Sequence, residues 1–395
     1  MNFPKRILPV AAACIIGWAA GANTLLAQGE VPVLIENEAF RQDARESIDS
    51  LYNRNTEAAI DILSPWMEQY PGHPMWDLWD GIQYWWNVLQ DLPSTQHDEA
   101  FFNKMKEADF EAGRVLNQTP DHPDALIVRA VSNAYSARHN SNRENWITSM
   151  NLGRRAFQAH SRLLEVMPDL PDNDFAEGLK KYYSAYIPEN YPVVRAVSWF
   201  LPEGNYEEGL ESLRLASETG IFARPEAAYF LGYILLNYEK EYESASAIFK
   251  DLVGSYPDNG YYRRLYVRSL IQMNRYDKAM EAALETIRHW ESMGTQTEFY
   301  QVLREEVYHW LGRSYYHTGN YQQALEAFIS SYRAGLNLPN LKEREFHTLS
   351  AYFAGRTNEL LSNPTDAIEY YRATLQQRAG EQAIGRARER LDRLR

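Results

Sequence analysis

The stretch from Glu305 to Leu338 places Tyr308, Leu311, Gly312, Tyr315, Gly319, Tyr321, Ala324 and Phe328 at positions 4, 7, 8, 11, 15, 17, 20 and 24 of a 34-residue unit. Few folds satisfy that order. Apolar residues three and four apart belong to helices. Gly319, with Asn320 beside it, breaks the run in the middle, so the unit is two short helices joined by a turn. The small residues at 8 and 20 then lie where the two helices cross, since a larger side chain there would push the axes apart. The bulky residues at 4, 7, 11 and 24 fill the space around that crossing. One such hairpin cannot bury its own apolar face, so neighbours must stack on it.

Other stretches repeat the pattern with gaps. Leu231-Gly232 is followed by Tyr242, Ala245, Phe249 and Pro257, with one extra residue in the turn. Tyr276, Ala279 and Ala283 fit the next unit, although Val267 takes the small position. Gly355, Ala367 and Tyr371 fit a later one. Nearer the start, Ala59 with Leu63 and Pro71, Ala108 with Pro120, Ala156 with Pro168, and Gly209 with Leu213 each mark a second helix. Ala245 and Ala279 are 34 apart, but Ala279 to Ala324 is 45 and Ala324 to Ala367 is 43, which requires longer helices or longer turns. The reading is an all-α chain of about seven to eight antiparallel hairpins. Irregular repeats span 40–222 and better-matched ones 223–380, and a charged helix at 381–395 caps the last open face.

In its motif this chain resembles the tetratricopeptide repeat family, most closely at 305–338. The resemblance implies a right-handed superhelical solenoid that binds a protein or peptide and carries no catalytic site. It also implies that positions 2, 5, 9 and 12 of each unit line the concave surface. Those positions hold Glu226, Tyr229, Tyr233 and Leu236, then Tyr261, Arg264, Arg268 and Ile271, then Glu306, His309, Arg313 and Tyr316, then Leu349, Tyr352, Arg356 and Glu359. A groove of Tyr229, Tyr233, Arg264, Arg268, His309, Arg313, Tyr316, Tyr352 and Arg356 would suit an extended partner segment bearing acidic or C-terminal carboxylate groups. Arg forks pair with carboxylates, and Tyr supplies flat area at low entropic cost. Residues 172–290 carry a fainter similarity to the mitochondrial outer-membrane inclusion-clearance proteins and their animal relatives, which brings no activity with it.

The formal charge of −13 opposes any general grip on nucleic-acid phosphates. Lys5 and Arg6, the apolar run Ile7–Ala22 and Ala27 before Gln28 read as a secretory signal over 1–27, followed by a linker at 28–39. Its loss would leave a charge of −15 and no cysteine, since Cys14 is the single one, and no transmembrane span. The expected location is therefore the periplasm or cell surface of a bacterial envelope. Nine histidines include no HExxH arrangement, and there is no GxSxG elbow, P-loop or GxGxxG turn, so no metal, cofactor or catalytic residue is assigned. Trp76, Trp79, Trp85 and Trp86 fall on one helix, and Trp76, Trp79 and Trp86 share a face. They read either as packing between hairpins or as an aromatic platform for a glycan or small ligand.

Overall fold

Asparagines set where many of these helices begin. Asn37, Asn55, Asn205 and Asn259 each turn a side-chain oxygen onto a backbone N–H of the next helix's first turn, satisfying a donor that the helix itself cannot. The computed structural model of the protein describes residues 31–190, 203–294 and 298–394. The expected signal at 1–27 lies outside them. The chain divides into two units, Met1–Pro32 and Val33–Arg395, and the second holds every helix described below.

Its helices pair in chain order: α1 (Glu38–Tyr52) with α2 (Thr56–Gln69), α3 (Met75–Gln90) with α4 (Asp98–Gln118), α5 (Pro123–Asn142) with α6 (Trp146–Val166), and α7 (Asn173–Asn190) with α8 (Tyr206–Thr219). Four more pairs follow: α9 (Arg224–Ile234) with α10 (Tyr242–Ser255), α11 (Gly260–Gln272) with α12 (Tyr276–Ser292), α13 (Glu298–His317) with α14 (Tyr321–Leu336), and α15 (Glu345–Leu360) with α16 (Pro364–Leu375). A last helix, α17 (Glu381–Leu394), stands alone. The described residues thus form an all-α stack of hairpins with no strand.

The sequence rule for the crossing is met in detail. A Cβ at Gly312 would stand 2.6 Å from the ring of Phe328, one at Gly355 2.7 Å from Tyr371, and one at Gly232 3.0 Å from Phe249. The small residue at position 8 is therefore the seat of the aromatic at position 24 of its own unit. Ala245, Ala279, Ala324 and Ala367, at position 20, are fully buried. The extra residue between α9 and α10 is absorbed as a π-helical turn, Leu235–Glu239, closed by Lys240 in the left-handed region (φ 60°), the usual way a helix takes in one residue. The long gap before Ala324 is helix: α12 and α13 run to 17 and 20 residues. At the C-terminal end, Ala383, Ala387 and Leu391 of α17 pack on Tyr352 and Tyr371. That covers the face α15 and α16 would otherwise expose.

The N-terminal linker is less free than its composition implies. The Leu34 and Ile35 N–H groups donate to the buried Asp124 carboxylate, and Ile35 joins a core with Leu126, Leu163 and Leu170.

Two long-range ties make the stack more than a row of neighbours. At the first, Arg224 donates to both carboxylate oxygens of Asp49 at 2.9 Å, Tyr52 Oη donates to Glu226 (2.7 Å), and Asn259 Nδ2 donates to the Tyr52 carbonyl (2.7 Å). At the second, Arg344 bridges Asp91 and Glu305, each at 2.9 Å, and Asn340 donates to the Pro93 carbonyl (2.6 Å). The first two hairpins therefore lie against α9–α15.

Burial also sets a response to acid. His347 stacks on Tyr332 (ring centroids 4.2 Å) and donates its Nδ1–H to the Tyr332 carbonyl, and burial brings its pKa down to about 4. A folded-state pKa below the unfolded value means the unfolded chain binds the proton first, so His347's contribution falls as pH drops from about 6.5 towards 4. The stability advantage of the protein over His347→Gln should shrink by about 1–2 kcal/mol between pH 7.5 and pH 5. Urea unfolding of both at the two pH values checks it, and a constant difference would refute it.

Candidate functional site

The positions expected to line an open groove separate into two groups. Tyr229 (2 % exposed), His309 (0 %) and Tyr352 (7 %) lie in the interior. Tyr229 meets Tyr261 Oη and receives a hydrogen bond from Arg138, and Arg138 is held by Glu226, the same carboxylate that Tyr52 binds. His309 sits among Trp310, Phe328, Phe346 and Phe353, with Nδ1 at 2.9 Å from the Ser350 hydroxyl. Arg264 lies over the Tyr261 ring (4.0 Å) and pairs with Glu306, an acid at position 2 of the following unit. These residues do not form an open binding face. The concave side is occupied in its middle by α1 and α3, and Arg264 is already neutralised from within.

The second group stays half-buried and reachable: Tyr233, Arg268, Arg313, Tyr316 and Arg356. Arg268 donates to Asn237 (2.8 Å). Arg313 lies 4.5 Å over the Phe353 ring and meets His317 Nε2 at 3.2 Å. Tyr316 stands edge-on to Phe353 (5.7 Å). Burial holds the Arg313 guanidinium below its usual pKa, and the charge of Arg386 adds to that after Tyr276 and Tyr316 partly offset it. Arg386 comes from the capping helix, which also supplies Arg390. Arg390 and Arg356 (3.6 Å) share one acid, Glu359, which also accepts from Tyr371. The result is a strip of four guanidinium groups, on Arg313, Arg356, Arg386 and Arg390, of which Arg356 and Arg390 share Glu359 while Arg313 feels the charge of Arg386.

Sequence reasoning missed the two arginines of α17. Their signal was present: Arg386 and Arg390 are four apart, each one residue before a buried position of that helix, Ala387 and Leu391, so they flank the contact with α15.

The tryptophan platform is not present. Trp79 and Trp86 are buried, and Trp86 packs edge-on against Tyr52 (5.1 Å) and Tyr262 (5.9 Å). Trp76 is half-buried, tilted against His73 and bonded through Nε1 to the Tyr70 carbonyl. Sugar stacking needs an open ring face: Trp86 is covered by Tyr52, Tyr261 and Tyr262, and Trp76 packs on Phe40 and His73.

Among the described residues, no helix is long and apolar enough to cross a membrane, and no group of three or more His, Cys, Asp or Glu side chains could hold a metal ion. No curated protein matches the sequence. Among solved structures, the chain is similar to a fragment of MamA from Desulfovibrio magneticus RS-1 (17 % identity over 52 % of this chain and 96 % of that one, TM-score 0.33). It is also similar to human IFIT1, solved as a dimer with PPP-AAAA (14 %, 87 % of each chain, TM-score 0.30), and to yeast Tom70 (12 %, 89 % and 95 %, TM-score 0.23). Likeness this slight carries no argument about partners. The family description "Tetratricopeptide repeat" matches residues 311–383, the part that holds α14, α15, α16 and two of the glycine–aromatic crossings, and whose repeats serve protein interaction. Residues 311–383 of this chain are tetratricopeptide repeat.

Proposed function

We propose that the protein is a non-catalytic scaffold of the bacterial cell envelope that holds an extended acidic segment of a partner protein along the strip formed by α13, α15 and α17. One observation carries this reading: on a chain of formal charge −13, Arg313 and Arg386 face each other with no ion pair to an acid among the described residues, beside Arg356 and Arg390, which share Glu359. Like charges gathered without partners cost stability, and an acidic ligand relieves that cost. Arg forks with Tyr316 as a flat flanking surface suit a carboxylate-bearing chain in extended form. The cationic start and apolar run at 5–22 support export, with a mature chain starting at Gln28.

The test is partner recovery from the native host with a tagged full chain. Arg313→Glu with Arg386→Glu should cut recovery at least about tenfold, and raising salt from 50 to 300 mM should do the same to the unaltered protein. Undiminished recovery by a variant with unchanged helicity and unfolding midpoint would sink the proposal. Mass spectrometry of the exported chain tests the location, and a cytoplasmic protein retaining Met1 would overturn it.

A further inference from the structure

The hairpin stack is close from α7 onward but opens between the third hairpin and the fourth. There α5 and α7 stand as opposite walls and α6 barely meets α7. Three chambers fill the opening. One of about 160 Å³ lies between α1, α3 and α5, with Ile48, Leu51, Trp79 and Val131 in its walls. A second of about 200 Å³ lies between α5, α6 and α7, walled by Ala130, Phe157, Leu163 and Ala176. The third, about 360 Å³, lies between α5, α7 and α9 and is lined by Arg138, Tyr183, Glu226, Tyr229, Tyr233 and Tyr261. Tyr135 and Phe175 belong to the walls of all three, and neither is fully buried. Three part-open clefts that abut at the same two rings depart from the close contact of the other hairpins.

Their chemistry divides cleanly. The first two chambers are walled almost wholly by hydrocarbon, and apolar space of that size accepts apolar guests. The third is ringed by tyrosines and one ion pair. Arg138 Nη1 meets Glu226 Oε1 at 3.2 Å, Nη2 donates to Tyr229 Oη at 3.1 Å, and the guanidinium lies 4.5 Å over Phe230 and 4.8 Å over Trp85. The two charges cancel each other inside the protein. A charged guest would have to break that pair and strand one buried ion, a heavy cost. A neutral hydrogen-bonding group meets only hydroxyls and the outer edge of a satisfied pair.

We propose that this branched cavity binds an uncharged amphiphile. Its hydroxyl or amide head sits among Arg138, Tyr183 and Tyr233, and an aliphatic body of about ten carbons runs past Tyr135 and Phe175 into the apolar chambers. The site is separate from the arginine strip and does not depend on the scaffold reading.

The experiment titrates the purified full chain with 1-decanol, following tryptophan fluorescence and heat. Saturable one-to-one binding is expected, with decanoate and decyltrimethylammonium at least tenfold weaker. Ala134→Phe with Ala176→Leu narrows the space between α5 and α7 and should weaken decanol at least tenfold while the unfolding midpoint holds or rises. Should that pair fail to fold, a decanol analogue with a diazirine on its terminal carbon reads the site in the unaltered protein. Its label is expected on α1, α3, α5, α6 or α7, or on residues 222–223, which wall the two apolar chambers. Absence of saturable decanol binding, decanoate binding as tight as decanol, label confined to other helices, or full binding by the folded double variant would each overturn the proposal.

Discussion

Arg344→Met is expected to lower the unfolding free energy by about 3–5 kcal/mol, the cost of removing one partner from a buried ionic cluster. The Arg344 side chain is 3 % exposed and bridges Asp91 (8 %) and Glu305 (4 %). Without it two acids share a desolvated site. Burial already lifts the Glu305 pKa to about 7, with the Arg344 charge pulling the other way. In the variant that opposing pull is gone. An acid whose folded-state pKa exceeds the unfolded one stabilises at low pH and loses that contribution as pH rises through the folded value. The deficit of Arg344→Met should therefore be larger at pH 8 than at pH 5.5, where Glu305 can take up a proton in both proteins. Guanidinium-free urea melts at the two pH values measure it, and Arg344→Lys should recover part of the loss. A deficit below about 1 kcal/mol at pH 8 would show that the bridge does not hold the first two hairpins against the later ones.

The second large effect lies in the fourth hairpin. A Cβ added at Gly209 would stand 2.7 Å from the Tyr182 backbone nitrogen and 2.9 Å from its Cα, and one at Gly178 would stand 2.9 Å from the Leu213 nitrogen. Helices α7 and α8 thus touch backbone to backbone, and at Gly209 the nearest atoms are the backbone and Cβ of Tyr182, with no flexible side-chain end to give way. Gly209→Val should destabilise by about 3 kcal/mol, at the upper end of overpacking costs. Gly153, within α6, has nothing within 4 Å of its Cβ position. Gly153→Ala should stabilise by about 0.5–1 kcal/mol, because alanine loses less backbone entropy in a helix. Opposite signs at two helical glycines separate crossing geometry from helix propensity. The same sign at both would reject the crossing argument.

Whatever depends on one period could be read from the chain. The crossings at Gly232, Gly312 and Gly355 and the second helices marked by Ala59, Ala108 and Ala156 all follow from the alternation of small and bulky residues. Even the turn at 237–242 announced its extra residue. The concave face was legible only as a set of positions. Which of them stay open depends on contacts between residues 174 to 253 apart, such as Tyr52 with Glu226 and Asp91 with Arg344, and no local pattern encodes those. Arg264 and Glu306 show the limit well: both stood at concave positions of successive units, and they face each other rather than a ligand. The tryptophans of α3 misled for the same reason, since a stripe of large rings looks alike whether another helix or a sugar covers it.

The ties between the first two hairpins and those that follow have a consequence for how this chain can vary. An open row of repeats is elastic, and it tolerates the gain or loss of a unit because each one answers only to its neighbours. Here a hairpin duplicated anywhere between Asp91 and Glu305 would carry the two halves of the second tie apart by a whole repeat. The number of hairpins in that span is therefore fixed by closure, and lineages of this protein should change it only where Asp91, Glu305 and Arg344 are lost together.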